Sequence, residues 1–141
     1  MVSQKVDRVS SLVGDYIAQA PIVDATLMND YFAAAQRLAQ PFDLAGQGTV
    51  IVSTVTQDGG PPEVLWQQTG GGVLAAASTI GSQGGAATLP PGFPMDDNES
   101  VVIAEVYYDY DPMFIPQIVP STQVFFRSFH RPRRTAVLQF N

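Results

Sequence analysis

At Gly48 the hydrophobic period of this chain changes from three-to-four residues to two, and that switch constrains its fold more than any other feature. Before it, Val2, Val6, Val9, Leu12, Val13, Tyr16 and Ile17 recur at helical steps. Lys5, Asp7, Arg8, Ser11 and Asp15 fall largely on the other side. No capping residue precedes the first turn, which predicts a helix cut from a longer one, with Val2 more exposed than Leu12 and Val13. Pro21 ends that helix. Asp24 or Thr26 caps a second one, with Leu27, Tyr31, Ala34, Leu38 and Phe42 as its buried face and Pro41 closing it.

After the switch, TVIVSTVTQ (49–57) is β-branched and reads as a strand. The turn DGGPP and a second strand, EVLWQQT (63–69), complete a hairpin. Residues 64–95 carry no charge and are rich in Gly, Ala and Pro. They predict a long loop over about 70–95, with one short strand or helical turn near 73–80. ESVVIAEVYYDY (99–110) is a strand with Val102, Ala104, Val106, Tyr108 and Tyr110 on one face. Val101, Ile103, Glu105, Tyr107 and Asp109 line its other face, which is expected to be a polar outer one. TQVFFRSF (122–129) and RTAVLQF (134–140) give two further strands. Helices over about 2–42 followed by strands over about 48–141 define one α+β domain, 1–141, with an antiparallel sheet of four to five strands.

The 141 residues are 45% hydrophobic and 14% charged, a globular composition. The absence of cysteine excludes disulfides, thiolate metal sites and cysteine nucleophiles. Charge is unevenly spread. Residues 1–126 hold three basic groups against all thirteen acidic ones, and Arg127, Arg131, Arg133 and Arg134 supply the other four cations. An acidic body with so few cations argues against a nucleic-acid partner.

No constellation predicts an enzyme. Glu105 and Asp109 share a strand face but stand about 13 Å apart at roughly 3.3 Å per residue, beyond the reach of paired glycosidase carboxylates. Asp96, Asn98 and Ser100 have the spacing of a calcium loop, but Val101 and Tyr107 occupy the positions of its glycine and its bidentate acid. A turn entering a strand explains the same residues, so no metal is expected. His130 is the lone histidine, without a nucleophile-elbow motif beside it. GGG (70–72) and GSQGG (81–85) lack the Lys-Ser/Thr of a phosphate loop. No cofactor is expected.

The segments KVDRVSSLVGDYIAQ, NDYFAAAQRLAQPFD, EVLWQQTGGG, LPPGF, ESVVIAEVYYDYDPMF and FFRSFHRPRR, in that order, resemble TadE/TadF-like minor pilins, or pseudopilins, of the tight-adherence (Tad, Flp) type IV pilus. The resemblance implies a pilin-like fold and a periplasmic domain, anchored in the inner membrane by a preceding apolar helix that is missing from this sequence. It implies a non-catalytic role in pilus assembly, with other minor pilins and the major pilin as partners. Under it, Arg131, Arg133 and Arg134 at one end are expected to dock a partner, with Glu105, Tyr107 and Asp109 on the strand face as a second contact. Two rivals stand beside it. An adhesive module binding glycans or surfaces would stack them on Tyr107, Tyr110 and Trp66. A hydrolase would join His130 to a serine and an acid.

Overall fold

The computed structural model describes residues 2–20, 23–110, 122–132 and 138–140. Helix α1 (Val2–Ala18) is followed by α2 (Ala25–Ala39) and a single turn, α3 (Leu44–Gln47). Four strands follow: β1 (Gly48–Gln57), β2 (Glu63–Gly70), β3 (Glu99–Tyr110) and β4 (Thr122–His130). They form one antiparallel sheet in the order β2-β1-β3-β4. The class is α+β, with two N-terminal helices on one face of the sheet. Of the expected fifth strand, residues 134–137 lie outside the described residues. Beyond them Leu138 is fully buried and Phe140 bridges to Val23 in parallel.

Local chemistry sets the helix boundaries. Asp24 Oδ1 accepts from the Leu27 backbone N–H at 2.8 Å and so satisfies one donor left open in the first turn of α2. Asp43 caps α3 in the same way, through Gly46 N–H at 3.0 Å. The main core lies between the helices and the inner sheet face, where Val6, Val9, Val13 and Ile17 meet Val50, Val52, Val102 and Val106.

Both helices are rolled by about one position from the expected stripe. In α1, Ser10 and Gly14 face inward, while Leu12 is half-buried and Tyr16 is 44% exposed. The cause is a close approach. A Cβ on Gly14 would overlap the His130 ring, so only glycine lets α1 sit this near β4. In α2 the buried residues are Met28, Phe32, Ala35 and Ala39. Leu27, Tyr31, Ala34, Leu38 and Phe42 are half-buried. Tyr31 instead faces α1, its ring stacked on Tyr16 at 6.5 Å and its hydroxyl donating to the Tyr16 carbonyl. The expected greater exposure of Val2 lies outside the described side chains.

The other sheet face departs most from expectation. Residues 71–98 form neither a strand nor a helical turn near 73–80. They cross the outer face as an extended strap. Ile80, Ala87, Leu89, Phe93 and Met95 close a second core over Val55, Val64, Val101 and Ile103. The strap leaves β2 tightly against the α3–β1 junction, since a Cβ on Gly72 would overlap the Gly48 carbonyl. The outer face of β3 is therefore covered, not solvated. Among the described residues no helix is long and apolar enough to cross a membrane.

Candidate interaction surface

The buried centre of the outer face is Glu105, which has no exposed surface. A carboxylate there needs compensating donors, and the strap supplies three. Ser78 Oγ donates to Oε1, while Thr79 N–H (2.9 Å) and Thr79 Oγ1 (2.8 Å) donate to Oε2. Two residues along β3, the Tyr107 hydroxyl donates to the Ala77 carbonyl at 2.8 Å. Burial first, and then the charge of Glu105, raise the Tyr107 pKa above its ordinary 10.0, against a lowering by Arg127. The phenol stays a donor.

These contacts correct the expectation of a partner-facing strand. Glu105 is fully buried and Tyr107 is 7% exposed, so both hold the strap and offer little surface to a partner. Asp109, the third residue of that expected contact, is half-exposed. Of the three arginines, Arg133 and Arg134 lie outside the described residues. Arg131 is exposed but tethered. It donates to the Pro94 carbonyl, lies 3.8 Å from Glu99 and stacks over Phe93 at 5.4 Å. The structure thus brings Arg131 to the strap, at the opposite end of β3 from Asp109.

What the sequence reading missed is the outer face of β4. In FFRSFHR the residues Phe125, Arg127, Phe129 and Arg131 alternate at two-residue steps, so they share the outer face. Phe125 stacks on Tyr107 at 4.6 Å and remains 36% exposed. The Arg127 guanidinium lies 5.4 Å over Phe129, whose ring packs on Phe93 at 5.1 Å. The alternating Phe-x-Arg-x-Phe-x-Arg spacing was the available signal.

The stacking residues of the adhesive reading are elsewhere. Trp66 is inside, its Nε1–H donating to the Leu138 carbonyl at 2.9 Å and its ring against Phe140. Tyr107 lies under Phe125, and the Tyr110 side chain is outside those described. The calcium-like segment is a turn. Asn98 adopts φ 61° with its N–H on the Gln57 carbonyl, and Asp97 Oδ1 accepts from Gln57 Nε2 and Gly59 N–H at 3.1 Å each. Among the described residues no three His, Asp or Glu side chains are grouped to hold a metal ion.

His130 does meet a serine. Its Nε2 lies 2.9 Å from Ser128 Oγ in the seam under α1. Ser10 Oγ donates to the Ala104 carbonyl and Ser128 Oγ reaches the Ser10 carbonyl, both at 2.9 Å, with the two hydroxyls 3.0 Å apart. The Ser128 hydroxyl, with one hydrogen to give, is thus engaged with α1 as well as with His130, whose donor or acceptor role follows its tautomer. The trio fastens α1 to the sheet.

Comparison of the chain with protein-family models, with curated proteins and with solved structures finds no match to any of them.

Proposed function

We propose that this chain is the periplasmic domain of a TadE/TadF-like minor pilin, acting in assembly of a Tad pilus through protein contacts and without catalysis. The observation that carries the reading is the placement of α1. It lies along β3 and β4 in register, Ser10 beside Ser128 and Gly14 beside His130. An amphipathic N-terminal helix laid along an antiparallel sheet is the arrangement expected of a pilin head, and the ordered motifs of the sequence supply the family. The use of Ser10, Ser128 and His130 in fastening α1 to the sheet weighs against the hydrolase rival. The buried Trp66 and Tyr107 weigh against the adhesive one.

On this reading the natural chain is anchored in the inner membrane by a helix preceding α1, and its partners are other minor pilins and the major pilin. Arg133 and Arg134 remain the proposed docking cations, while Arg131 is tied to the strap. Charge at such a surface sets orientation and encounter rate more than affinity. The test is genetic. Deleting the gene in its native bacterium is expected to abolish surface pili while the major pilin is still made. Normal piliation in that strain overturns the function. Normal piliation with Arg133→Glu and Arg134→Glu overturns the docking residues alone.

A further inference from the structure

The outer face of β4 carries a cation with no acid of its own. Arg127 stands opposite Glu105 in the β3–β4 register, yet the Glu105 carboxylate is taken by Ser78 and Thr79. Arg127 Nη1 donates to Thr79 Oγ1 at 3.1 Å, and no carboxylate among the described residues lies within ion-pair distance of it. Its central carbon lies 5.4 Å over the Phe129 ring, and Thr79 takes one of the several N–H donors that a guanidinium carries. A guanidinium held between a ring and a hydroxyl is ordered in advance for a carboxylate. Beside it Phe125 is one of the few large apolar side chains on the surface.

The chain also displays what this strip lacks. At the β1–β2 turn end of the sheet, Asp58, Glu63, Asp96 and Asp97 are all exposed. That tip cannot reach Arg127 within one molecule. Glu99, where β3 leaves the tip, is six residues from Glu105, roughly 20 Å at 3.3 Å per residue.

We infer that the Phe125–Arg127–Phe129 strip docks the acidic tip of a second copy of this chain. The two surfaces differ, so the contact is heterologous. Each pair leaves one strip and one tip free, and association continues beyond the dimer unless a ring closes. The net charge of −6 opposes approach at long range. Screening confines that repulsion to about 10 Å at 0.1 M salt, while the stacked arginine acts at contact. The contact stands apart from the pilus reading. Piliation lost in the deletion strain, with a protein that stays monomeric, overturns this contact and leaves that reading in place.

Sedimentation of the full chain from about 10 µM to about 1 mM is the experiment, a range that brackets weak protein contacts. The expected result is a mass that grows past the dimer with concentration and falls between about 0.1 and 0.5 M salt. Arg127→Glu is expected to weaken association at least about tenfold, and Asp58→Lys with Asp96→Lys to do the same. Asp97 is left alone because it pins the turn. Mixing the two variants pairs each altered strip with an altered tip, and each intact strip with an intact tip, so the mixture is expected to associate again. Phe125→Ser, at an exposed edge, gives a second weakening variant if Arg127→Glu fails to fold. A monomer at every concentration, association indifferent to these changes, or no recovery on mixing overturns the contact.

Discussion

Glu105 and Arg127 are direct cross-strand partners, yet the hydroxyl of Thr79 stands between them. Thr79 Oγ1 gives its hydrogen to the carboxylate and accepts one from the guanidinium, so a strap residue joins two charges that the sheet alone would have paired. A direct cross-strand ion pair contributes a few tenths to about 1 kcal/mol. The bridge instead ties 28 residues of irregular chain (71–98) to the sheet.

The first prediction follows from that tie. Glu105→Ala removes a fully buried side chain and the charged acceptor of half-buried Ser78 and exposed Thr79. The expected loss is about 1–3 kcal/mol, since water reaches the freed Thr79 donors and offsets part of the lost charged hydrogen bonds. Urea unfolding measures it. Limited proteolysis is expected to cut the variant first within 71–89, and an unchanged cleavage pattern would show the strap held by apolar contacts alone.

Raising the pH tests the same strap by another route. The Tyr107 pKa is raised by burial and then by Glu105, and that of Tyr31 by burial and then by Asp30. A group with a raised folded pKa contributes stability that is complete below its unfolded value, near 10 for tyrosine, and is lost as pH climbs through the folded one. Stability is therefore expected to fall above about pH 10 as the two phenols ionise. Tyr107→Phe should flatten that fall, and an unchanged slope in this variant would remove Tyr107 from the account.

Gly14 gives a prediction with opposing terms. Alanine is the better helix former by about 1 kcal/mol. Its methyl group, however, meets the His130 ring and also nears Ala104. Displacing the ring breaks its bond to Ser128, so Gly14→Ala is expected to destabilise by about 1–3 kcal/mol. In a His130→Ala background the obstacle is gone, and the same change is expected to be neutral or stabilising. A double-mutant cycle by thermal or urea unfolding reads the coupling, and additive effects would contradict the contact.

Trp66→Phe tests the inner end of the sheet. An aromatic ring is kept, but three heavy atoms are lost at a buried position and the Leu138 carbonyl loses its indole donor. A cost of about 2–4 kcal/mol, hydrogen bond and cavity together, is expected from denaturant unfolding. No measurable loss would mean that the tail residues 138–140 contribute little to the core.

The sequence by itself determined the local order of this protein. Changes of period, Asp24 before an apolar run, and glycine-proline turns act within one helical turn or one strand, and they placed α1, α2 and all four strands to within a residue or two. They also sorted the faces of β3, because alternation along a strand is a covalent fact. The tertiary structure decided the strand order, the roll of both helices, and what covers the outer face. Helix roll depended on Gly14 meeting His130, residues 116 positions apart in the chain. The strap had no period to read, since its residues are held by a carboxylate 26 positions away and by apolar contacts with all four strands. Glu105 looks like a surface acid in any window of its own strand. Only the donors that fold over it make it a core residue, and they leave Arg127 outside with its charge.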